Sequence, residues 1–171
     1  MTAPIHSLWL MPAAEDGARL ASVLADLSAR FGTPLFTPHL TIAGDTDRPV
    51  TQLATEIAAA AAADEVAAFS GEVLGIETSE TFFRSFYARF AVSAPLAALK
   101  QRLDPQAREP FLPHVSLLYG PVPAGPKAEA AAQVSTALTG RPIRFDRLCV
   151  VTSGQDVPIA DWRITETVTL G

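Results

Sequence analysis

Two short stretches of the chain repeat one another: Phe36-Thr37-Pro38-His39-Leu40-Thr41-Ile42 and Phe111-Leu112-Pro113-His114-Val115-Ser116-Leu117. Each reads aromatic, any residue, proline, histidine, aliphatic, hydroxyl, aliphatic, and the two histidines lie 75 positions apart. On a strand, a histidine and a hydroxyl residue two positions apart point to one face, whereas the aliphatic residues beside them point to the other. The repeat therefore predicts two related strands, each with a polar face made of one imidazole and one hydroxyl.

Hydrophobic periodicity around the repeat predicts the order βαβαββ followed by αβαββ. The predicted strands cover residues 5–10, 38–43, 66–77, 82–92, 114–120, 143–152 and 162–170, and the predicted helices cover residues 15–31, 50–64, 95–103 and 127–138. Each half contributes one motif strand, so the pattern indicates an α+β fold that arose by duplication. We expect the terminal strands to pair with one another, because the last two strands need partners beyond their own hairpin.

The residue types of the repeat suit acid–base chemistry at a phosphate. Histidine has an unperturbed pKa near physiological pH, so two histidines can divide the roles of acid and base. A neutral imidazole would take a proton from water or a sugar hydroxyl, and an imidazolium would protonate the leaving oxygen. Thr41 and Ser116 could donate hydrogen bonds to the phosphate oxygens, where charge builds up. This chemistry needs no nucleophilic side chain, no metal ion and no cofactor.

Composition narrows the classes of partner. The net charge is −5, and only Lys100 and Lys127 are lysines among the thirteen basic residues. Because proteins that bind long nucleic acids usually present a basic face, we expect a single phosphate group on a small molecule or a strand end instead. No apolar run approaches the roughly 18 to 20 residues of a membrane span. With Cys149 as the one cysteine and no basic segment near the start, the sequence predicts a cytoplasmic protein without disulfide or secretory signal.

Other kinds of site are disfavoured by spacing. No pair among His6, His39, His114 and Cys149 has the short separation of common zinc motifs, so we expect no metal site. Cys149 lies in an apolar run and is expected to be a buried, inert thiol. His6 lies outside the repeat and is expected to be structural. The chain also lacks the Gly-x-Ser-x-Gly turn of many serine hydrolases and any glycine-rich phosphate loop.

At the two motifs the chain resembles the 2H phosphoesterase superfamily, which is named for its two His-x-[Thr/Ser] motifs. Within it, the chain looks most like the cyclic phosphodiesterases of the plant and yeast type. The likeness covers essentially the whole chain and extends to four further segments: Ser7-Leu8-Trp9-Leu10-Met11-Pro12, Thr81-Phe82-Phe83, Arg147-Leu148 and Asp161-Trp162.

The resemblance implies a single domain over residues 1–171, with two pseudo-symmetric lobes and a cleft between two antiparallel sheets flanked by helices. It implies metal-independent opening of ADP-ribose 1″,2″-cyclic phosphate, nucleoside 2′,3′-cyclic phosphates, or both. The implied site residues are an acid–base pair, two phosphate-binding hydroxyls and three aromatic contacts for the substrate: His39 and His114, Thr41 and Ser116, and Trp9, Phe83 and Tyr119.

Two alternatives stay open at this point. A superfamily member could process RNA 3′ ends or 2′,5′ linkages in RNA metabolism, which should require basic residues along a groove; Arg141, Arg144 and Arg147 are the local arginine group. A binding module for cyclic phosphates would not require a matched acid and base, so the pair of imidazoles favours an enzyme. The sequence leaves open which histidine is the acid. It leaves the oligomeric state open as well, with a monomer as the expectation.

Overall fold

The computed structural model describes residues 3–171, so the predictions that include Met1 and Thr2 lie partly outside the described residues. Within this range the order βαβαββ followed by αβαββ is confirmed. The strands are β1 (His6–Pro12), β2 (Leu40–Thr46), β3 (Phe69–Thr78), β4 (Phe86–Phe90), β5 (His114–Leu118), β6 (Pro142–Thr152) and β7 (Arg163–Thr169). The helices are α1 (Ala14–Phe31), α2 (Val50–Ala61), α3 (Ala94–Leu103) and α4 (Ala124–Leu138).

The strands form one antiparallel sheet, and the expectation of two separate sheets is wrong. Their order is β1-β2-β5-β4-β3-β6-β7, and an additional pairing between β1 and β6 closes the first six strands into a ring. Strand β6 makes this possible because it has eleven residues. Its first part pairs with β3, and its remainder pairs with β1 and β7. The expected pairing of the first strand with the end of the chain is present between β1 and β6, whereas the last strand, β7, pairs with β6 and not with β1.

One face of the sheet carries the core against the helices. The core side chains of β1, β2 and β5 are fully buried at alternate positions: Leu8 and Leu10, Leu40 and Ile42, and Val115 and Leu117. Helix α1 contributes Leu20, Leu24 and Leu27, and ends at Gly32, whose φ of 68° a residue without Cβ adopts readily. Because side chains alternate across a strand, the residues between these apolar ones point away from this core.

The segment predicted as a strand over residues 82–92 begins differently. Phe82–Arg84 form a single 3₁₀ turn, and β4 starts only at Phe86. Hydrogen bonds hold the turn, since the Phe82 carbonyl accepts from the Gly120 N–H at 3.0 Å and the Ser79 hydroxyl donates to the Arg84 carbonyl at 2.5 Å. A second 3₁₀ turn, Ile159–Asp161, precedes β7.

None of the helices in residues 3–171 combines the length and the apolar character that crossing a membrane would require.

Candidate active site

The two sequence motifs meet where β2 pairs with β5. The register pairs Leu40 with Val115 in antiparallel orientation. Extended by one position on either side, this register sets His39 across from Ser116, and Thr41 across from His114. All four side chains line one cleft of about 460 Å³. The predicted strand alternation therefore places both imidazoles and both hydroxyls in a single cavity, on the side of the strands opposite the core.

The two imidazoles are held by the same local hydrogen bond. The Nδ1 atom of His39 lies 2.7 Å from the Thr37 carbonyl oxygen, and the Nδ1 atom of His114 lies 2.7 Å from the Leu112 carbonyl oxygen. Because a carbonyl oxygen only accepts, each Nδ1 carries the proton and donates it. The proline in each motif favours extended backbone in the residue before it, which is Thr37 in one motif and Leu112 in the other. Nε2 is consequently the nitrogen of each ring that can exchange a proton with a substrate.

The cleft lowers the proton affinity of both rings. Burial lowers the pKa of His39 to about 4; the hydrogen bond to Thr37 opposes this shift and the nearby His114 adds to it. Burial also lowers the pKa of His114 below its ordinary value, and the Arg84 guanidinium acts in the same direction. Both shifts favour the neutral form of the imidazole near pH 7. An anionic group that binds between them would favour protonation of one ring.

The hydroxyl groups lie beside further polar partners. The Ser116 hydroxyl donates to the Phe83 carbonyl at 3.2 Å, which connects β5 to the 3₁₀ turn. Tyr119 follows directly after the end of β5 and also lines the cleft, and burial raises the pKa of its phenol above the ordinary value. This phenol is therefore a neutral hydrogen-bond donor at physiological pH. Thr41, Ser116 and Tyr119 together give the cleft three hydroxyl groups near the imidazoles.

Aromatic side chains form one wall of the cleft. The structure brings together the three aromatic residues singled out from the sequence, because Trp9, Phe83 and Tyr119 all line it. Trp162, which the sequence analysis did not select, contacts all three, with ring centroids 5.9 Å from Trp9, 6.1 Å from Phe83 and 5.9 Å from Tyr119. The signal that could have identified Trp162 from the sequence was the Asp161-Trp162 segment, which resembles the cyclic phosphodiesterases. The arrangement offers flat surfaces on which a nucleobase could stack.

Charged groups in the cleft are few. Arg84 is the one basic side chain among the lining residues, and the 3₁₀ turn explains why the sequence analysis missed it. On a strand, Phe83 and Arg84 would point to opposite faces, whereas in the turn Thr81, Phe82, Phe83 and Arg84 all line the cavity. Asp45 lines the cleft as well, at the end of β2. A guanidinium near two imidazoles suits an anionic group such as a phosphate.

The remaining residues considered from the sequence lie outside the cleft. His6 is buried, and its Nδ1 lies 3.2 Å from the Arg48 carbonyl oxygen. Cys149 is buried beside the Thr167 hydroxyl, and burial raises the pKa of its thiol. Within residues 3–171, no group of three or more histidine, cysteine, aspartate or glutamate side chains is arranged to hold a metal ion.

Comparison with known proteins connects this site to a family. The model of the family described as "Cyclic phosphodiesterase-like protein" matches residues 5–170. A relative from Arabidopsis thaliana named "Cyclic phosphodiesterase" is 25% identical over 166 residues, which cover 92% of this chain and 91% of the relative.

Solved structures share the fold at lower sequence identity. Escherichia coli LigT in its apo form superposes with a TM-score of 0.59 at 15% identity, and LigT complexed with 3′-AMP superposes with a TM-score of 0.58 at 14% identity. Each alignment covers 99% of both chains. The predicted resemblance is thereby confirmed: the chain belongs to the cyclic phosphodiesterase-like protein family of the 2H phosphoesterases and is a phosphodiesterase.

Proposed function

We propose that this protein opens cyclic phosphates of small nucleotides, namely nucleoside 2′,3′-cyclic phosphates, ADP-ribose 1″,2″-cyclic phosphate, or both. The observation that supports this proposal most strongly is the pairing of Leu40 with Val115, which places two imidazoles with matching Nδ1 hydrogen bonds in one cleft. Binding alone would not require two such groups. We take residues 1–171 to act as one domain whose two motif-bearing halves both contribute to the site.

The reaction follows from the groups that line the cleft. Nε2 of one neutral imidazole takes a proton from water, and the water oxygen forms a bond to phosphorus. The bond from phosphorus to one ribose oxygen breaks on the opposite side, and the other imidazole, as imidazolium, donates its Nε2 proton to that oxygen. Thr41 and Ser116 hold the non-bridging oxygens, and Arg84 offsets their charge. A proton exchange with solvent restores the starting state.

The surroundings of the imidazoles support a nucleotide as the substrate. Phe83, Tyr119 and Trp162 present their rings to the same cleft, and base stacking on aromatic rings is typically worth about 1–3 kcal/mol per base. The Arabidopsis relative is named a cyclic phosphodiesterase, and the LigT fold has been solved with 3′-AMP and with ATP. These names agree with a small nucleotide ligand.

The charged residues of the cleft give less support to the alternative that RNA ends are the substrate. The three arginines that the sequence offered for an RNA groove, Arg141, Arg144 and Arg147, are not among the residues that line the cleft. Arg147 instead donates to Asp146 at 2.9 Å and to the Pro12 carbonyl. With Arg84 as the only basic lining residue, the cleft suits one or two phosphates better than a long strand.

The proposal is tested by assaying the purified protein against a panel of cyclic phosphates, with the products identified by ³¹P NMR. We expect turnover of at least one nucleoside 2′,3′-cyclic phosphate or of ADP-ribose 1″,2″-cyclic phosphate. Because the acid imidazole lies on one side of the phosphate, one leaving oxygen is fixed, and a 2′,3′-cyclic nucleotide should yield one isomer in large excess. The resemblance to cyclic phosphodiesterases favours the 2′-phosphate as that isomer. Comparable amounts of both isomers would contradict the fixed acid, and no turnover of any member would overturn the proposed function.

A further inference from the structure

A second cavity of about 350 Å³ lies directly beside the catalytic cleft. The two cavities share the side chains of Trp9 and Trp162 as walls. Trp9 is also stacked on His39, and Trp162 lies edge-on to the same imidazole with ring centroids 6.5 Å apart. A group in the second cavity would therefore lie one aromatic ring away from the reacting phosphate.

Most of the side chains that line the second cavity are apolar, and two of them are largely exposed. Leu35 is 65% exposed and Ile164 is 47% exposed, and both line it. Phe36 lines it too, while its ring stacks on Tyr119 of the catalytic cleft at 3.9 Å. Exposed large apolar side chains that gather in one depression usually mark a binding surface. Because Phe36, Trp9 and Trp162 connect the second cavity to the cleft, we expect one ligand to contact both.

One cation borders the apolar walls. Arg163 lines the cavity, and its Nη1 donates to the carbonyl oxygens of Ala160 at 2.7 Å and of Trp162 at 2.8 Å. These bonds hold the guanidinium in place while its other N–H groups remain available to an anion. None of the residues that line the cavity is acidic. Flat apolar walls beside a fixed guanidinium suit a nucleobase attached to a phosphate.

We propose that the second cavity binds the distal nucleoside of a substrate in which that nucleoside is joined through phosphate to the ribose that carries the cyclic phosphate, while the cyclic phosphate itself lies in the catalytic cleft. This inference rests on the proposed function and narrows its substrate class. The shared chemistry is a distal nucleoside and a linking phosphate. The linker can be a phosphodiester, as at an RNA end, or a diphosphate, as in ADP-ribose 1″,2″-cyclic phosphate.

The test is calorimetric binding to full-length protein that carries His114→Ala, which prevents turnover without altering the second cavity. The ligands are adenosine 2′,3′-cyclic phosphate, the dinucleotide ApA with a terminal 2′,3′-cyclic phosphate, and ADP-ribose 1″,2″-cyclic phosphate. We expect at least one of the two longer ligands to bind about 10-fold or more tightly than the mononucleotide, because the stacked base of its distal nucleoside contributes gains of this order. Whichever of the longer ligands binds more tightly than the mononucleotide identifies the linker as a phosphodiester or a diphosphate.

Three further substitutions, each combined with His114→Ala, test whether the second cavity accounts for the tighter binding. Leu35→Ser and Arg163→Gln should each remove most of the advantage of the longer ligand over the mononucleotide. Leu74→Ser is the matched control, since Leu74 is 51% exposed on β3 and lines neither cavity, and it should leave the advantage intact. An advantage below two-fold for both long ligands, or one that persists in Leu35→Ser and Arg163→Gln, would overturn the second site. Turnover of the mononucleotide by the unsubstituted protein tests the proposed function separately.

Discussion

The indole of Trp9 is stacked on the imidazole of His39, with ring centroids 3.4 Å apart and planes inclined by 7°. The imidazole of His114 instead meets the Tyr87 ring edge-on, with ring centroids 5.1 Å apart and planes inclined by 63°. The two motifs therefore share their backbone hydrogen bonds but differ in the environment of the ring. A cation over an indole face is attracted to it, so protonation has different consequences at the two sites. We therefore expect the two imidazoles to differ in their catalytic roles.

The two hydroxyls of the motifs should act on the same phosphate. Thr41→Val and Ser116→Ala are each expected to lower kcat/KM about 10- to 100-fold, the range for hydrogen bonds to a charged group. The double variant should lose less than the product of the single losses, because both side chains contact one group. Steady-state kinetics on a cyclic nucleotide measures this, with Ser70→Ala, exposed on β3, as the control. A strictly multiplicative loss would mean that the hydroxyls act independently.

The pH dependence of kcat/KM should reflect the lowered pKa values of the two imidazoles. Catalysis needs one neutral and one protonated imidazole, and this form of the free protein is most populated between the two pKa values. Since burial lowers the pKa of His39 to about 4 and lowers that of His114 as well, this interval lies below 6.5. We expect a bell-shaped kcat/KM profile whose optimum is below pH 6.5, with both limbs belonging to the coupled pair.

The profile of kcat should be displaced to higher pH than that of kcat/KM. A bound phosphate anion favours the imidazolium and so raises the pKa of the pair in the complex. Both profiles come from one set of initial rates between pH 4 and 9. A kcat/KM optimum above pH 7.5 would show that the free protein does not need an imidazolium, and the acid–base assignment would have to be abandoned.

Lys127 should act as a positioning residue for the 3₁₀ turn of the cleft. Its side chain is buried in α4, and Nζ donates to the Ser79 carbonyl at 2.9 Å and lies 3.4 Å from the Ser85 hydroxyl. These two residues flank the segment that carries Phe82–Arg84. Lys127→Met keeps the length of the side chain but removes the donor. We expect KM to rise several-fold, because the turn carries the Phe83 ring on which a base would stack, and kcat to fall as well, because the turn also carries Arg84.

The other lysine provides the control for Lys127. Lys100 is half-buried and donates to the Ile42 carbonyl and to Asp104, each at 2.7 Å, so Lys100→Met also removes a buried donor. Leaving a buried acceptor unsatisfied costs about 1–3 kcal/mol, so both variants should have a lower Tm. An increase of KM confined to Lys127→Met supports positioning of the turn. Equal effects of both substitutions on KM would reduce the role of Lys127 to general stability.

Activity should survive removal of metal ions. The proposed proton transfers use only imidazoles, and the hydroxyls with Arg84 account for the charge on the phosphate. We therefore expect kcat and KM to change less than two-fold after dialysis against EDTA. Loss of activity that one added divalent metal restores would favour a metal-dependent phosphodiesterase instead.

Local pattern was enough to predict the element order, and it also predicted that the four motif side chains share one side of their strands. The alternation around His39 and His114 depends only on strand geometry, which is the same wherever the strand pairs. Leu40 and Val115 are buried for the same reason. Helix α1 was predicted almost to the residue, because its apolar spacing and Gly32 are local signals.

The features that were missed depend on contacts between distant segments. The closure of the sheet requires β6 to pair with three strands, which no local pattern specifies. Arg84 enters the cleft because the 3₁₀ turn is held by Gly120 and Ser79, whereas the aromatic-rich sequence favours a strand. Trp162 lies more than 120 positions from His39, and only the pairing of β1 with β6 and of β6 with β7 brings it beside Trp9.

The central claim, that His39 and His114 together open a cyclic phosphate, is tested most directly by the turnover of a 2′,3′-cyclic nucleotide in single histidine variants. His39→Ala and His114→Ala should each lower kcat by about 10² to 10⁴-fold with unchanged far-UV circular dichroism. His6→Ala is the matched control, since His6 is a buried histidine outside the cleft, and its kcat should stay within about two-fold of the unsubstituted protein. Near-normal kcat in either cleft variant would contradict the two-imidazole mechanism.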